Sequence, residues 1–263
     1  MDLGIDGRCA LVVGGGGGLG GAIARALAAE KARVAVADLS GDAAADVAAA
    51  IESNGGESLP LALDLSELDS FSGHLDSVRE RFGPVDILVN LTGGPPPTPA
   101  VGVEPELWTG HFRSMVLGVI HLTDLVLPEM RERGFGRVVT STSSGVVAPI
   151  PNLGVSNSLR SALVGWAKTL SREVAGDGVT VNLIVPGRIA TKRIKQLDVA
   201  RAEREGTDVA SVAAASAASI PMGRYGEPAE YGAAVAFLVS AQASYITGAT
   251  LRVDGGLIPS ISI

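Results

Sequence analysis

The chain has one cysteine, Cys9, among 263 residues, which excludes an internal disulfide and a thiolate metal cluster. Cys9 reads as a small apolar residue of a strand. Aromatic residues make up only 4 %, so few side chains are available to stack on nucleic-acid bases, and the net charge of −7 disfavours a polyanionic partner. Three histidines, His74, His111 and His121, show no metal-ligand spacing, and no metal is expected. No run approaches the ~18 apolar residues of a membrane span. The opening Met1-Asp2-Leu3-Gly4-Ile5-Asp6 lacks the basic-then-apolar pattern of a signal peptide. A cytoplasmic protein with no membrane and no nucleic-acid partner is expected.

What the chain has instead is apolar content, 46 %, and a run of five glycines from Gly14 to Gly18. The run comes after the apolar stretch Cys9–Val13 and precedes an Ala-rich helical pattern, Ala22 to Lys31. Strand, glycine turn and helix bring backbone N–H groups and a helix N-terminus up to a phosphate. A glycine run alone is also an ordinary permissive turn, so its meaning depends on the rest of the chain.

Strand-like and helical stretches then alternate. Strands are expected at 33–38, 58–63, 85–90, 136–141, 179–185 and 250–253, and helices at 42–54, 67–82, 105–133, 156–175 and 227–240. Pro128 is expected to kink the last turn of the helix over 105–133. Repeated β-α-β units predict an α/β fold, a doubly wound parallel sheet between two helical layers. The Gly93-Gly94-Pro95-Pro96-Pro97-Thr98-Pro99 segment is a stiff loop at the end of a strand, where open α/β sheets place ligands. The stretch 191–219, charged and then Ala/Ser-rich, reads as a weakly amphipathic helical cover, within a cover region of about 188–219. One domain spans 1–263, and its apolar tail, Leu257 to Ile263, packs on the protein or in a subunit contact.

The ordered motifs resemble the short-chain dehydrogenase/reductase family, close to 3-oxoacyl-carrier-protein reductases, over nearly the whole chain. The family's Gly-x-x-x-Gly-x-Gly falls on Gly14, Gly18 and Gly20, with Val13 where the family has threonine. Asn90-Leu91-Thr92-Gly93 matches Asn-Asn-Ala-Gly at its first and last positions. Asp64, the Pro186-Gly187 turn with Thr191, Asn182, the segment 223–228 and Asp254-Gly255-Gly256 also look like the family's. The resemblance implies a Rossmann-type sheet of about seven strands and a homo-oligomer, commonly a tetramer. It also implies a cofactor site of Gly14, Gly16, Gly17, Gly18, Leu19, Gly20, Asp38, Leu39, Asp64, Leu65, Asn90, Thr92, Gly93, Arg160, Pro186, Gly187, Ile189 and Thr191. Asp38, at the end of the second strand, can accept hydrogen bonds from both adenosine ribose hydroxyls and would repel a 2′-phosphate. Leu39 and Ser40 carry no positive charge, so NAD is expected over NADP. Asp38 also has the chemistry of a helix N-cap or a solvated turn acid.

In that family a serine and a Tyr-x-x-x-Lys pair carry out proton transfer, often with an asparagine on the preceding long helix. The resemblance puts Ser143 at the serine, Ser156 at the tyrosine, Arg160 at the lysine and Met115 at the asparagine. Serine is a poorer acid than a phenol, and arginine holds its proton. Hydride transfer still needs only the nicotinamide and a well-placed carbonyl. The expectation is an NAD(H)-dependent oxidoreductase of a carbonyl/alcohol pair with an atypical proton-transfer site. The alternatives are a dinucleotide-binding sensor or partner subunit without turnover, and a non-redox enzyme of the same fold. His111 lies one turn before Met115 and could approach the site, but each histidine reads first as structural. Arg188, Lys192, Arg193 and Lys195 form either a solvated helix face or a contact for an anionic substrate.

Overall fold

The computed structural model describes residues 2–261. A 7-stranded sheet is built from β1 (Cys9–Val13), β2 (Arg33–Asp38), β3 (Ser58–Ala62), β4 (Ile87–Leu91), β5 (Gly136–Ser141), β6 (Val179–Pro186) and β7 (Thr250–Val253), ordered β3-β2-β1-β4-β5-β6-β7. Every neighbouring pair is parallel. The helices are α1 (Gly18–Ala29), α2 (Gly41–Ser53), α3 (Phe71–Phe82), α4 (Pro105–Phe112), α5 (Gly118–Glu132), α6 (Gly154–Val174), α7 (Lys192–Glu205), α8 (Val209–Ala218) and α9 (Pro228–Leu238).

The central strands are covered on both faces: every residue of β1 and of β5 is buried, the apolar run of β1 and, in β5, the polar Arg137, Thr140 and Ser141 as well. On one face Ile23 and Leu27 of α1, Val47 and Ile51 of α2 and Tyr231 and Val235 of α9 pack on Val12, Val36 and Val89. On the other, Phe71 and Leu75 of α3, Leu122 and Val126 of α5 and Leu170 of α6 pack on Leu11, Leu88 and Val138. The result is the Rossmann-like three-layer α/β/α arrangement. Strand order reverses between β1 and β4, and a crevice opens there beyond the carboxyl ends of the strands.

Three expected elements differ. The helix over 105–133 is α4 and α5 joined by a π-helical turn, Arg113–Leu117, with Met115 at its centre. Pro128 lies inside α5, which runs on to Glu132. The helix from Glu67 begins as a 3-10 turn at Leu68–Ser70. The cover over 191–219 is two helices, not one. Gly206 ends α7 in the left-handed conformation (φ 64°), and Asp208 caps α8 by accepting the Ser211 N–H at 2.9 Å. Of the tail, Ile258 is buried and Ile261 exposed, and the last two residues lie outside those described.

Candidate functional site

The glycine turn is shaped by close backbone approaches. Gly14 has φ 70°, and a Cβ there would stand 2.6 Å from the Leu91 carbonyl oxygen of β4. A Cβ on Gly16 would stand 2.7 Å from that of Ala43 in α2, and one on Gly18 2.9 Å from Cγ2 of Thr191. A Cβ on Gly20 would overlap the Gly14 carbonyl oxygen. Gly17 is the N-cap of α1 and has no side chain to occupy the first-turn N–H groups, which leaves an anion-ready helix start. Leu19, next to it, packs partly buried against the sheet face under α1.

Asp38 closes β2 at this turn. Its Oδ2 accepts the Gly16 N–H at 3.0 Å and its Oδ1 the Ser40 N–H at 3.1 Å. A carboxylate offers roughly four lone-pair sites, so acceptor capacity is left for a diol. Leu39 beside it is 73 % exposed, an uncharged flat flank. These residues fit the adenosine half of a dinucleotide.

Asp64 is engaged locally: one carboxylate oxygen accepts both the N–H and the hydroxyl of Ser66 at 2.7 Å. The Leu65 carbonyl backs directly onto Gly118 at the start of α5. After β6 the chain turns tightly, because a Cβ on Gly187 would lie 2.5 Å from Cα of Asp254. Ile189 then bridges to Gly226, and Thr191 caps α7 by accepting the Ile194 N–H at 3.3 Å. Pro186, Gly187, Ile189 and Thr191 thus run from the end of β6 to the glycine turn, with Thr191 touching it.

Arg160 and Ser156 sit one turn apart on α6, both buried. The Arg160 Nε–H points at Ser156 Oγ (3.4 Å). One terminal nitrogen donates to Thr92 Oγ1 (3.3 Å), and the other to the carbonyls of Thr92 (3.3 Å) and Gly93 (2.9 Å). The guanidinium therefore staples α6 to the chain leaving β4. Burial pushes its pKa down to about 10; the nearby Tyr231 opposes that shift and Arg193 adds to it. Asn90, fully buried in β4, has neither side-chain atom hydrogen-bonded. Its register neighbours are Val13, which offers no polar atom, and Thr140. Ser143 follows β5, and its Oγ accepts the Gly145 N–H at 3.1 Å, which leaves its own proton to donate elsewhere. Met115 is 2 % exposed and packs with Val119, Val155, Leu159 and Leu163 between α5 and α6. His111 is half-buried on α4, and His121 lies with its ring 5.8 Å from that of Phe71. Among the described residues no group of His, Cys, Asp or Glu could hold a metal.

Two features were not visible in the sequence. Tyr231 of α9 is fully buried and its hydroxyl lies 2.7 Å from Ser141 Oγ, under the site from the opposite face of the sheet. Asp198 of α7 is also buried. It accepts from Tyr225 Oη at 2.8 Å and pairs with Arg188 at 3.2 Å, tying the cover helix to the loops after β6 and before α9. Arg188 thus leaves the group of free surface cations, while Lys192, Arg193 and Lys195 remain exposed. An acid in a polar helix carries no signal of such a role, since its partners lie 10 and 27 residues away. Asp198 and Ala202 are the buried residues of α7. The Asp198→Asn variant is therefore expected to cost about 1–3 kcal/mol and to speed proteolytic cleavage within 192–205. Cleavage at the wild-type rate would show that the latch does not hold α7.

A glycine turn feeding a helix, an acid ending β2 and a crevice at the strand-order reversal define a dinucleotide-binding protein of Rossmann type. Residues 14–258 match the family described as Enoyl-(Acyl carrier protein) reductase. The chain is 35 % identical over 257 residues to 3-oxoacyl-(acyl-carrier-protein) reductase FabG of Salmonella typhimurium, covering 97 % of this chain and 99 % of that one. It also superposes on L-sorbose reductase of Gluconobacter frateurii, complexed with NADPH and L-sorbose, with TM-score 0.94 and 30 % identity over 99 % of this chain and 100 % of that one. NAD+-bound xylitol dehydrogenase superposes with TM-score 0.89 and 27 % identity, over 96 % and 99 % of the two chains. The chain belongs to the short-chain dehydrogenase/reductase family and is an oxidoreductase of that type with a nicotinamide dinucleotide cofactor. No helix among the described residues is long and apolar enough to cross a membrane.

Proposed function

We propose that the protein is an NAD(H)-dependent oxidoreductase of a small carbonyl/alcohol substrate, in which Ser156 and Arg160 stand at the family's tyrosine and lysine positions. The observation that carries the cofactor choice is the Asp38 carboxylate, bonded to Gly16 with acceptor sites to spare and flanked by the uncharged Leu39 and Ser40. It suits a ribose diol and opposes a 2′-phosphate. The known neighbours include both NADPH and NAD+ complexes, so the preference rests on Asp38 alone.

The cofactor site would comprise the glycine turn, Asp38, Leu39, Asp64, Leu65, Asn90, Thr92, Gly93 and the loop from Pro186 to Thr191. Bound there, the nicotinamide supplies or takes the hydride. Ser143 donates its hydroxyl proton to the substrate oxygen and polarises it. Arg160, fixed on Thr92 and Gly93, binds the ribose and offsets charge growing on that oxygen. Ser156, or a water held by it, delivers the proton. Helices α7 and α8 cover the substrate. The family resemblance favours a cytoplasmic homotetramer, and exposed apolar Phe112 and Leu117 on the α4–α5 rod suit a subunit contact.

Fluorescence titration tests the cofactor choice. NADH is expected to bind at least ~10-fold more tightly than NADPH, and Asp38→Asn to erase most of that ratio, equal to about 1.4 kcal/mol. Tighter NADPH binding by the wild type would overturn the NAD assignment, and no binding of either would remove the enzyme. A second reading, dinucleotide binding without turnover, is favoured by Met115, which can pass no proton, and by the burial of Tyr231. Cofactor binding with no reaction across a broad ketone and alcohol panel would select it.

A further inference from the structure

Arg160 raises a question its hydrogen bonds do not answer. The guanidinium is about nine-tenths buried, and every partner it has is neutral: one serine hydroxyl, one threonine hydroxyl and two carbonyls. The titratable groups acting on it are the phenol of Tyr231, which burial keeps neutral, and a second cation, Arg193 of α7. No carboxylate among the described residues pairs with either arginine. The acids of the cover that do pair with cations are taken elsewhere: Asp198 by Arg188, and Glu205 by Arg201 and Arg204. Arg160 therefore lies buried beside the chain leaving β4 without a compensating acid, and the exposed Arg193 of α7 adds positive charge rather than relieving it. A buried, unneutralised charge is unfavourable unless the protein's partner brings the opposite one.

We infer that the crevice takes an anionic substrate, and that the negative group is a carboxylate within a few bonds of the reacting carbonyl, as in a short oxo acid or its hydroxy acid. This rests on the carbonyl/alcohol function proposed above and specifies its substrate class. Arg160 spends its Nε–H on Ser156, one terminal N–H on the Thr92 hydroxyl and two on the carbonyls of Thr92 and Gly93, which leaves one charged N–H, on the nitrogen facing Thr92 Oγ1, to donate to a carboxylate oxygen. Arg193 is exposed and free to swing, so it adds attraction at the mouth. Ser143 and Ser156 lie at the same crevice and supply neutral donors for the carbonyl oxygen.

The experiment uses the protein saturated with NAD+, so that an oxo compound binds without turning over. Acetoacetate and pyruvate are titrated calorimetrically against acetoacetamide and pyruvamide, which match them in shape and lack the charge. At constant ionic strength at least one acid is expected to bind tenfold or more tightly than its amide. Arg193→Gln is expected to reduce that ratio severalfold with NAD+ affinity unchanged. Arg160→Gln is expected to abolish it, and Arg160→Lys to restore part of it. Equal affinity of acid and amide, failure of every acid to bind, or a preference seen only without NAD+ would overturn the inference. The last result would show that the cofactor's own phosphates neutralise Arg160. Failure of the cofactor reading appears separately, as no NAD+ binding in the preceding titration, and the same acid and amide pairs on the free protein then still report on the arginines.

Discussion

Gly20→Ala is expected to raise the dissociation constant for NADH by ~100-fold or more, about 2.7 kcal/mol, and to lower the melting temperature. The added Cβ would overlap the Gly14 carbonyl oxygen, with Gly15 Cα 2.9 Å away. Both obstacles are main chain, so no rotamer change relieves the clash. Either the turn opens or α1 starts elsewhere, and in both cases the N–H groups that face a pyrophosphate are displaced. Overpacking of this kind typically costs about 1–3 kcal/mol in stability as well. Gly73→Ala is the matched control. Gly73 lies in α3 with nothing within 4 Å of a new Cβ, and the change should be neutral or stabilise by up to about 1 kcal/mol. NADH fluorescence and a circular-dichroism melt read both effects. Wild-type affinity in a folded Gly20→Ala variant would show that this turn is not the cofactor cradle.

The second large effect concerns chemistry. In the Ser156→Tyr, Arg160→Lys double variant, carbonyl reduction is expected to rise by about 10²–10⁴, the usual contribution of a positioned general acid. Positions 156 and 160 share one face of α6, where Arg160 Nε already points at Ser156 Oγ from 3.4 Å. A phenol placed there beside an ammonium has its pKa drawn down towards neutrality, which a serine hydroxyl cannot match. The rise belongs in kcat, because the added group acts on the transition state. NADH affinity is measured in parallel, since a lysine ammonium lacks the planar fork with which Arg160 holds Thr92 and Gly93. A variant that binds NADH and gains nothing on any ketone would show that proton transfer at these positions does not limit the rate. It would favour a protein without turnover or a non-redox enzyme.

Much of the scaffold is legible along the chain, for a physical reason. Strands buried on both faces become unbroken apolar runs, as in β1, and short connections keep the β-α order visible. Asp38 is legible because it ends such a run at a fixed distance from the glycines. The π turn at Met115 and the break at Gly206 were not, because single-residue changes in helix geometry leave the apolar period nearly intact. The latch at Asp198 joins residues across 27 positions, and no local pattern records it.

The same division runs through the site. Sequence alone determined the α/β layering, the glycine turn and the acid beside it, because each depends on residue type and near-neighbour spacing, while Ser143, Ser156, Arg160 and Met115 were singled out by the family resemblance. Only the tertiary structure decided that Arg160 is buried on neutral partners 67 and 68 positions away, without an acid in reach. A side chain's charge is written in its chemistry, but whether that charge is compensated depends on which distant segments the fold brings around it.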